Sequence, residues 1–343
     1  VSTPWTREDA RTLAALSAAG LIFVAALLLA TTPPDALTAL DPKAVTRYNF
    51  IAGAIGIVSA LLVTATSLVM TRKHPGASGV ALAHTVPLLT AAAALRLSQS
   101  HWDTAGWGWT GLGLLIGSLA ALTLPKRYRI SIAAPLVVGT VLAATGLLVR
   151  LGQLSQAGIS AILFALIIVL LQVAPWIALA HIPVRILDAD TIEQIPAKGI
   201  TDQVSNSFVF VVALRSGGAI AAIFLTVSLM TAPETRSVSL PLTLITLGAV
   251  SLVLQTRSIR ARVEVLLGAL SGLIVILVAT VLGAYADPRT MPWLTLSAIA
   301  TALVLVVTNV VGPRARPHLT RIADTISVLS LFVLLPLAVY LWS

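Results

Sequence analysis

The sequence predicts an all-α, polytopic membrane protein of about eleven transmembrane helices. Three observations carry this. Only 10% of the 343 residues are charged and 57% are hydrophobic, whereas a soluble domain carries roughly 25% charge. The apolar residues gather in runs of about 20, the length a helix needs to cross a hydrocarbon core of about 30 Å. Within those runs Leu, Ala, Val and Ile follow one another without the alternation of a membrane barrel strand. Together they exclude a soluble globule, a disordered tail and a coiled coil. With no cysteine, a disulfide framework, a thiolate zinc site, an iron–sulfur cluster and a cysteine nucleophile are excluded as well.

The runs follow in order. Residues 1–11 form a cytoplasmic lead-in, where Thr6 and Asp9 offer a capping-box start for the first helix. The first six spans, within residues 12–180, are 12–31, 50–70, 80–97, 107–124, 130–149 and 157–180. A long break at 181–207 follows. The remaining five, within residues 208–343, are 208–230, 238–254, 263–283, 293–311 and 326–342. Turn formers separate them: Pro33-Pro34, Pro75-Gly76, Asp287-Pro288 and Gly312-Pro313. Prolines 87, 135, 175 and 336 fall inside spans or near their ends, as kinks or helix starts. Six of the seven tryptophans lie near span ends (Trp102, Trp107, Trp109, Trp176, Trp293 and Trp342), as interfacial rings do.

Charge sets the orientation. With the N-terminus cytoplasmic, 16 of the 22 Lys and Arg residues fall inside, as the positive-inside rule requires. An odd number of spans then places the C-terminus in the periplasm. The cytoplasmic basic turns hold Arg72 and Lys73; Lys126, Arg127 and Arg129; Arg257, Arg260 and Arg262; and Arg314 and Arg316. Of the net charge of +9, eight therefore lie on the cytoplasmic side facing anionic headgroups, and the excess is not a nucleic-acid surface.

Catalytic and coupling chemistry is sparse. No lysine lies in a phosphate-cradling Gly-Lys-Ser/Thr, and no histidine begins a His-Glu-x-x-His zinc helix. No catalytic residue, metal ligand or cofactor site is assigned. Gly76-Ala77-Ser78-Gly79 resembles the Gly-x-Ser-Gly of rhomboid proteases, yet it occupies a cytoplasmic turn and His84 is six residues on, not a same-face spacing. A secondary transporter is the alternative reading. It needs titratable groups near the midplane, and His84 is a single candidate. Glu264 and Asp324 stand at cytoplasmic span ends, and Arg215, early in its span, is expected to snorkel to the surface. Gly113-x-x-x-Gly117 and Gly268-x-x-x-Gly272 permit close helix contact, more readily within the chain than between copies. The break at 181–207 mixes Ile and Val with acids. Arg185, Asp188, Asp190 and Glu193 are its candidate partner contacts.

Eleven spans with an inside N-terminus resemble the membrane domain of EccD, a subunit of type VII (ESX) secretion systems of mycobacteria and related actinobacteria. The resemblance rests on the basic turn Met70-Thr71-Arg72-Lys73 and on the arginine-rich stretch Gln255 to Arg262 between spans eight and nine. It rests also on Arg321-Ile322-Ala323-Asp324 leading into Leu334-Leu335-Pro336-Leu337, and on the break at 181–207. The family carries a cytoplasmic ubiquitin-like domain, which is expected upstream of Val1. The resemblance implies a non-enzymatic scaffold in the bacterial inner membrane that pairs with a second copy around a phospholipid-filled space. The partners it implies are EccB-, EccC- and EccE-type subunits, with the EccC-type ATPase supplying the energy.

Overall fold

A computed structural model describes residues 7–31, 42–73, 77–98, 104–119, 124, 129–180, 197–234, 238–255, 262–287 and 316–342, with short pieces between 289 and 303. Besides helical pieces between 289 and 303, these residues form ten α-helices, and no strand is found among them. They are α1 (Arg7–Thr31), α2 (Pro42–Lys73), α3 (Ala77–Leu97), α4 (Thr104–Leu119), α5 (Ala133–Gly152), α6 (Gln156–Ala180), α7 (Ala197–Met230), α8 (Ser239–Gln255), α9 (Arg262–Ala286) and α10 (Arg316–Trp342). Eight are long and apolar enough to cross a membrane, and α8 is a shorter apolar helix. In hydrocarbon only intra-helical bonding satisfies every backbone group within one segment, hence the single element type. Ten of the expected spans coincide with these helices. The other, 293–311, lies mostly outside the described residues.

Two features go beyond the expected spans. Helix α7 begins at Ala197, so residues 197–207, about two-fifths of the expected 181–207 connection, are helical. The chain also packs as two units, Val1–Arg150 and Leu151–Ser343, with the division falling before α6. The reason is α6, which packs against α7, α8 and α10 and so joins the second unit.

In the first unit α3 is the central helix, with α1, α2 and α4 packed around it. Ala26 of α1, Ala60 of α2 and Val86 and Leu89 of α3 form one buried cluster. Small residues bring the backbones together. A Cβ on Gly113 would stand 2.5 Å from the Thr90 carbonyl oxygen, and one on Gly117 would stand 2.6 Å from Pro87 Cα. The Gly-x-x-x-Gly of α4 therefore seats α4 on α3, and Thr90 Oγ1 donates to the Gly113 carbonyl at 2.7 Å. The opposite side of α4 meets α5 just as closely, Gly111 against the Ala143 backbone and Gly146 against Gly108. The α2–α3 turn is held by Ser67 Oγ, which donates to the Gly79 carbonyl at 2.8 Å.

In the second unit the core side chains Phe164 and Ile168 of α6 and Leu244, Ile245 and Ala249 of α8 are fully buried. The Phe164 ring lies where a side chain on Gly248 would project. Gly272 meets the Ala249 carbonyl of α8, so this glycine of the second small-residue motif also serves packing within the chain. Gln153, at φ 49°, ends α5 in the left-handed conformation common just past a helix end.

Large apolar side chains remain exposed along α1 (Leu21, Leu28), α2 (Leu61, Leu62), α9 (Leu266, Leu277) and α10 (Phe332). Such surface is incompatible with water and natural against lipid.

Candidate functional site

Polar side chains inside an apolar bundle are costly and mark where helices are joined for a purpose. Three joints stand out among the described residues.

The first is at Arg96, in the last turn of α3. By the charge count it is one of the six Lys and Arg residues on the external side, at the end of span 80–97. In the structure it is only 5% exposed. Its Nε donates to the Leu29 carbonyl at 2.5 Å and its Nη1 to Asn49 Oδ1 at 3.4 Å. Leu29 lies in the last turn of α1, where carbonyls have no partner within their own helix. Arg96 thus caps α1 and anchors α2 with one guanidinium.

The second joint is Gln156 and Ser160 of α6 with Ser228 of α7, all buried. Gln156 Nε2 donates to the Ser228 carbonyl at 2.9 Å, and the two serine hydroxyls share a hydrogen bond of 2.6 Å. Helix association in lipid uses such bonds in place of a hydrophobic drive.

The third joint gathers α6, α7, α8 and α9. Arg215 Nη1 of α7 stands 3.1 Å from Glu264 Oε2 of α9. Both side chains are at least nine-tenths buried, so Arg215 does not snorkel to the surface as the sequence suggested; it is neutralised in place. The signal was present. Arg215 stands eight residues beyond Ser207, where the apolar stretch of α7 begins, too deep for an unpaired cation, and Glu264 opens the next helix but one. Beside the pair, Gln255 Nε2 at the end of α8 donates to the Leu171 carbonyl of α6 at 2.9 Å. That carbonyl's ordinary donor is the N–H four residues on, and residue 175 is proline, which has none. Gln255 fills the gap that Pro175 leaves. We expect Gln255→Leu to lower stability in detergent by about 1–3 kcal/mol, the cost of an orphaned buried acceptor. In a Pro175→Ala background the same change should cost much less. Equal costs in both backgrounds, read from denaturation midpoints, would refute the assignment.

The residues singled out in the sequence fall as follows. His84, half-buried, has Nδ1 2.8 Å from the Val80 carbonyl of its own helix, a local bond and not a relay to a second span. Arg72 and Lys73 are exposed in the last turn of α2, where cations face the negative helix end. Arg129 is exposed and its Nε donates to the Leu124 carbonyl at 2.8 Å. Arg262 and Arg316 begin α9 and α10, and their side chains lie outside the described residues. So do Lys126, Arg127, Arg257, Arg260, Arg314, the whole segment with Arg185, Asp188, Asp190 and Glu193, and the Ser78 side chain. Of the tryptophans, Trp109, Trp176 and Trp342 are exposed, whereas Trp107 is buried at 8% exposure, a packing residue and not an interfacial ring. No group of three or more His, Cys, Asp or Glu residues gathers as a metal site among the described residues.

The family model described as "EccD-like transmembrane domain" matches residues 10–343. The fold is similar to that of a solved chain described as "Structure of protomer 1 of the ESX-3 core complex", with TM-score 0.72 and 16% identity over 99% of this chain and 77% of that one. It is also similar to one from "MycP5-free ESX-5 inner membrane complex, State II", with TM-score 0.62 and 16% identity over 89% of this chain and 70% of that one. Among curated proteins none matches the sequence.

Proposed function

Because the chain belongs to the EccD family, we propose that it is a structural, non-enzymatic component of a type VII (ESX) protein secretion complex in the bacterial inner membrane. The observation that carries this is the family match, which runs through all ten described helices. The common fold with protomers of two such complexes supports it. The polar groups inside the bundle fit a scaffold: each of the three joints ties one helix to another.

In this reading the N-terminus is cytoplasmic and the C-terminus periplasmic. The chain pairs with a second copy, encloses phospholipid and supports EccB-, EccC- and EccE-type subunits, the EccC-type ATPase driving export. The 181–196 connection, with Arg185, Asp188, Asp190 and Glu193, is the partner contact. The basic turns lie against anionic headgroups.

Purification of the tagged chain from native membranes in gentle detergent should recover an ATPase and a single-span subunit with it. Recovery as a lone monomer would count decisively against the reading. Reversing Asp188, Asp190 and Glu193 to lysine together should lower partner recovery by roughly tenfold, about 1.4 kcal/mol of binding, while the chain still inserts. Unchanged recovery would leave the segment a connector only.

A further inference from the structure

Arg215 spends one nitrogen on Glu264. Its Nε and Nη2 are buried and meet no acceptor among the described residues. Arg215 lines a cavity of about 10 Å3 whose other walls are Leu171, Leu252, Gln255, Leu267, Gly268 and Ser271. That volume is about what one water needs, and buried waters make two to four hydrogen bonds.

We propose that this cavity binds a single ordered water molecule that completes the Arg215 guanidinium. The chemistry selects water over other small ligands. The two lone pairs of a water match the two free donors, Nε–H and Nη2–H. Its two hydrogens need acceptors, and the lining residues offer them. Ser271 Oγ gives its own hydrogen to the Gly268 carbonyl at 3.0 Å, so its lone pairs are free. The Leu171 carbonyl takes one bond from Gln255 and has a second lone pair. A halide would also accept from the guanidinium. But Glu264 already balances that charge at 3.1 Å, so an anion would bring an uncompensated negative charge into a buried site and face those same lone pairs. A cation would face the guanidinium. An empty cavity would leave two charged-group donors orphaned, the costliest arrangement of the three.

The site lies where four helices meet, so the water belongs to the joint and not to one helix. It ties α7 to α9 on the side of Arg215 that Glu264 does not reach. The Arg215–Glu264 pair is then a three-component junction: guanidinium, carboxylate and solvent.

Two measurements test this. In a map of the intact assembly sharp enough to resolve solvent, a peak is expected within hydrogen-bond distance of both Arg215 Nε and Nη2. A map that resolves waters elsewhere and none here overturns the proposal. So does an anomalous bromide signal at this position in crystals grown in bromide. The second measurement compares Ser271→Ala, which leaves the space open, with Ser271→Val, whose methyls enter it. Expelling the water strands two donors, so Ser271→Val should unfold at least about 2 °C below Ser271→Ala in the same detergent. If the cavity is dry, the added methyls fill an apolar void and Ser271→Val unfolds at the same or a higher temperature than Ser271→Ala. That result overturns the water as well.

Discussion

Replacing Glu264 with alanine should be the most damaging single change in the second unit. It leaves the Arg215 guanidinium, 6% exposed, as an uncompensated charge inside the helix bundle. Removing one member of a buried pair costs about 3–5 kcal/mol, far more than the net worth of the pair itself. The same argument gives a diagnostic rescue. Arg215→Met with Glu264→Leu removes both charges and keeps comparable volume, so the double variant should be much more stable than Glu264→Ala and close to the parent. Thermal unfolding of the purified chain reads both. A double variant no better than the single one would show that the charges are needed for themselves and not merely for each other.

The second large effect is expected at Gly111. A Cβ there runs into the Ala143 backbone nitrogen and lies 2.7 Å from the Gly139 carbonyl oxygen. The obstacle is backbone, which cannot rotate away as a side-chain tip can. Overpacking by a few carbons costs about 1–3 kcal/mol where side chains can adjust. Gly111→Leu, against backbone, should exceed that and separate α4 from α5. The control is Gly20 of α1, where nothing lies within 4 Å of an added Cβ; Gly20→Leu should be tolerated. Protease accessibility of the folded chain in detergent distinguishes them. Equal resistance in both variants would mean that the α4–α5 contact does not hold the unit together.

The helices were legible because the hydrocarbon core demands length and apolarity, and both are properties of a local window. The run at 238–254 is found as Ser239–Gln255, and the run at 157–180 as Gln156–Ala180. The depth of Arg215 hinted at a partner, but the pairings at the joints were not legible, because they depend on register between segments far apart in sequence. Arg96 and Asn49 are separated by 47 residues, and a cation at a span end reads the same whether it faces water or a neighbouring helix carbonyl. Gln255 looked like one polar residue opening a basic stretch. Its purpose exists only beside Pro175, 80 positions away on another helix. The glycine motifs were visible as patterns, and the structure supplied the partners: α3 for Gly113 and Gly117, and α8 for Gly272. The membrane span of α7 was legible, 208–230 against Ser207–Met230; its helical extension over 197–206 was not, because those residues are mostly polar. An apolarity criterion ends where the lipid ends, but a helix need not.

The extension of α7 beyond its apolar stretch has a mechanical side. At 1.5 Å per residue the 34 residues of α7 make a rod about 51 Å long, against a hydrocarbon core of about 30 Å. The apolar stretch begins at Ser207, so roughly 15 Å of helix continues beyond it in the direction of the 181–196 connection. A flexible tether of ten residues would absorb a pull by changing its end-to-end distance. A continuous helix transmits it. Any force applied where α7 begins is therefore delivered along the rod to Arg215, and from there to α9. The first turns of α7 thus act as a lever arm on its packing against α6 and α9, where Arg215 is paired with Glu264.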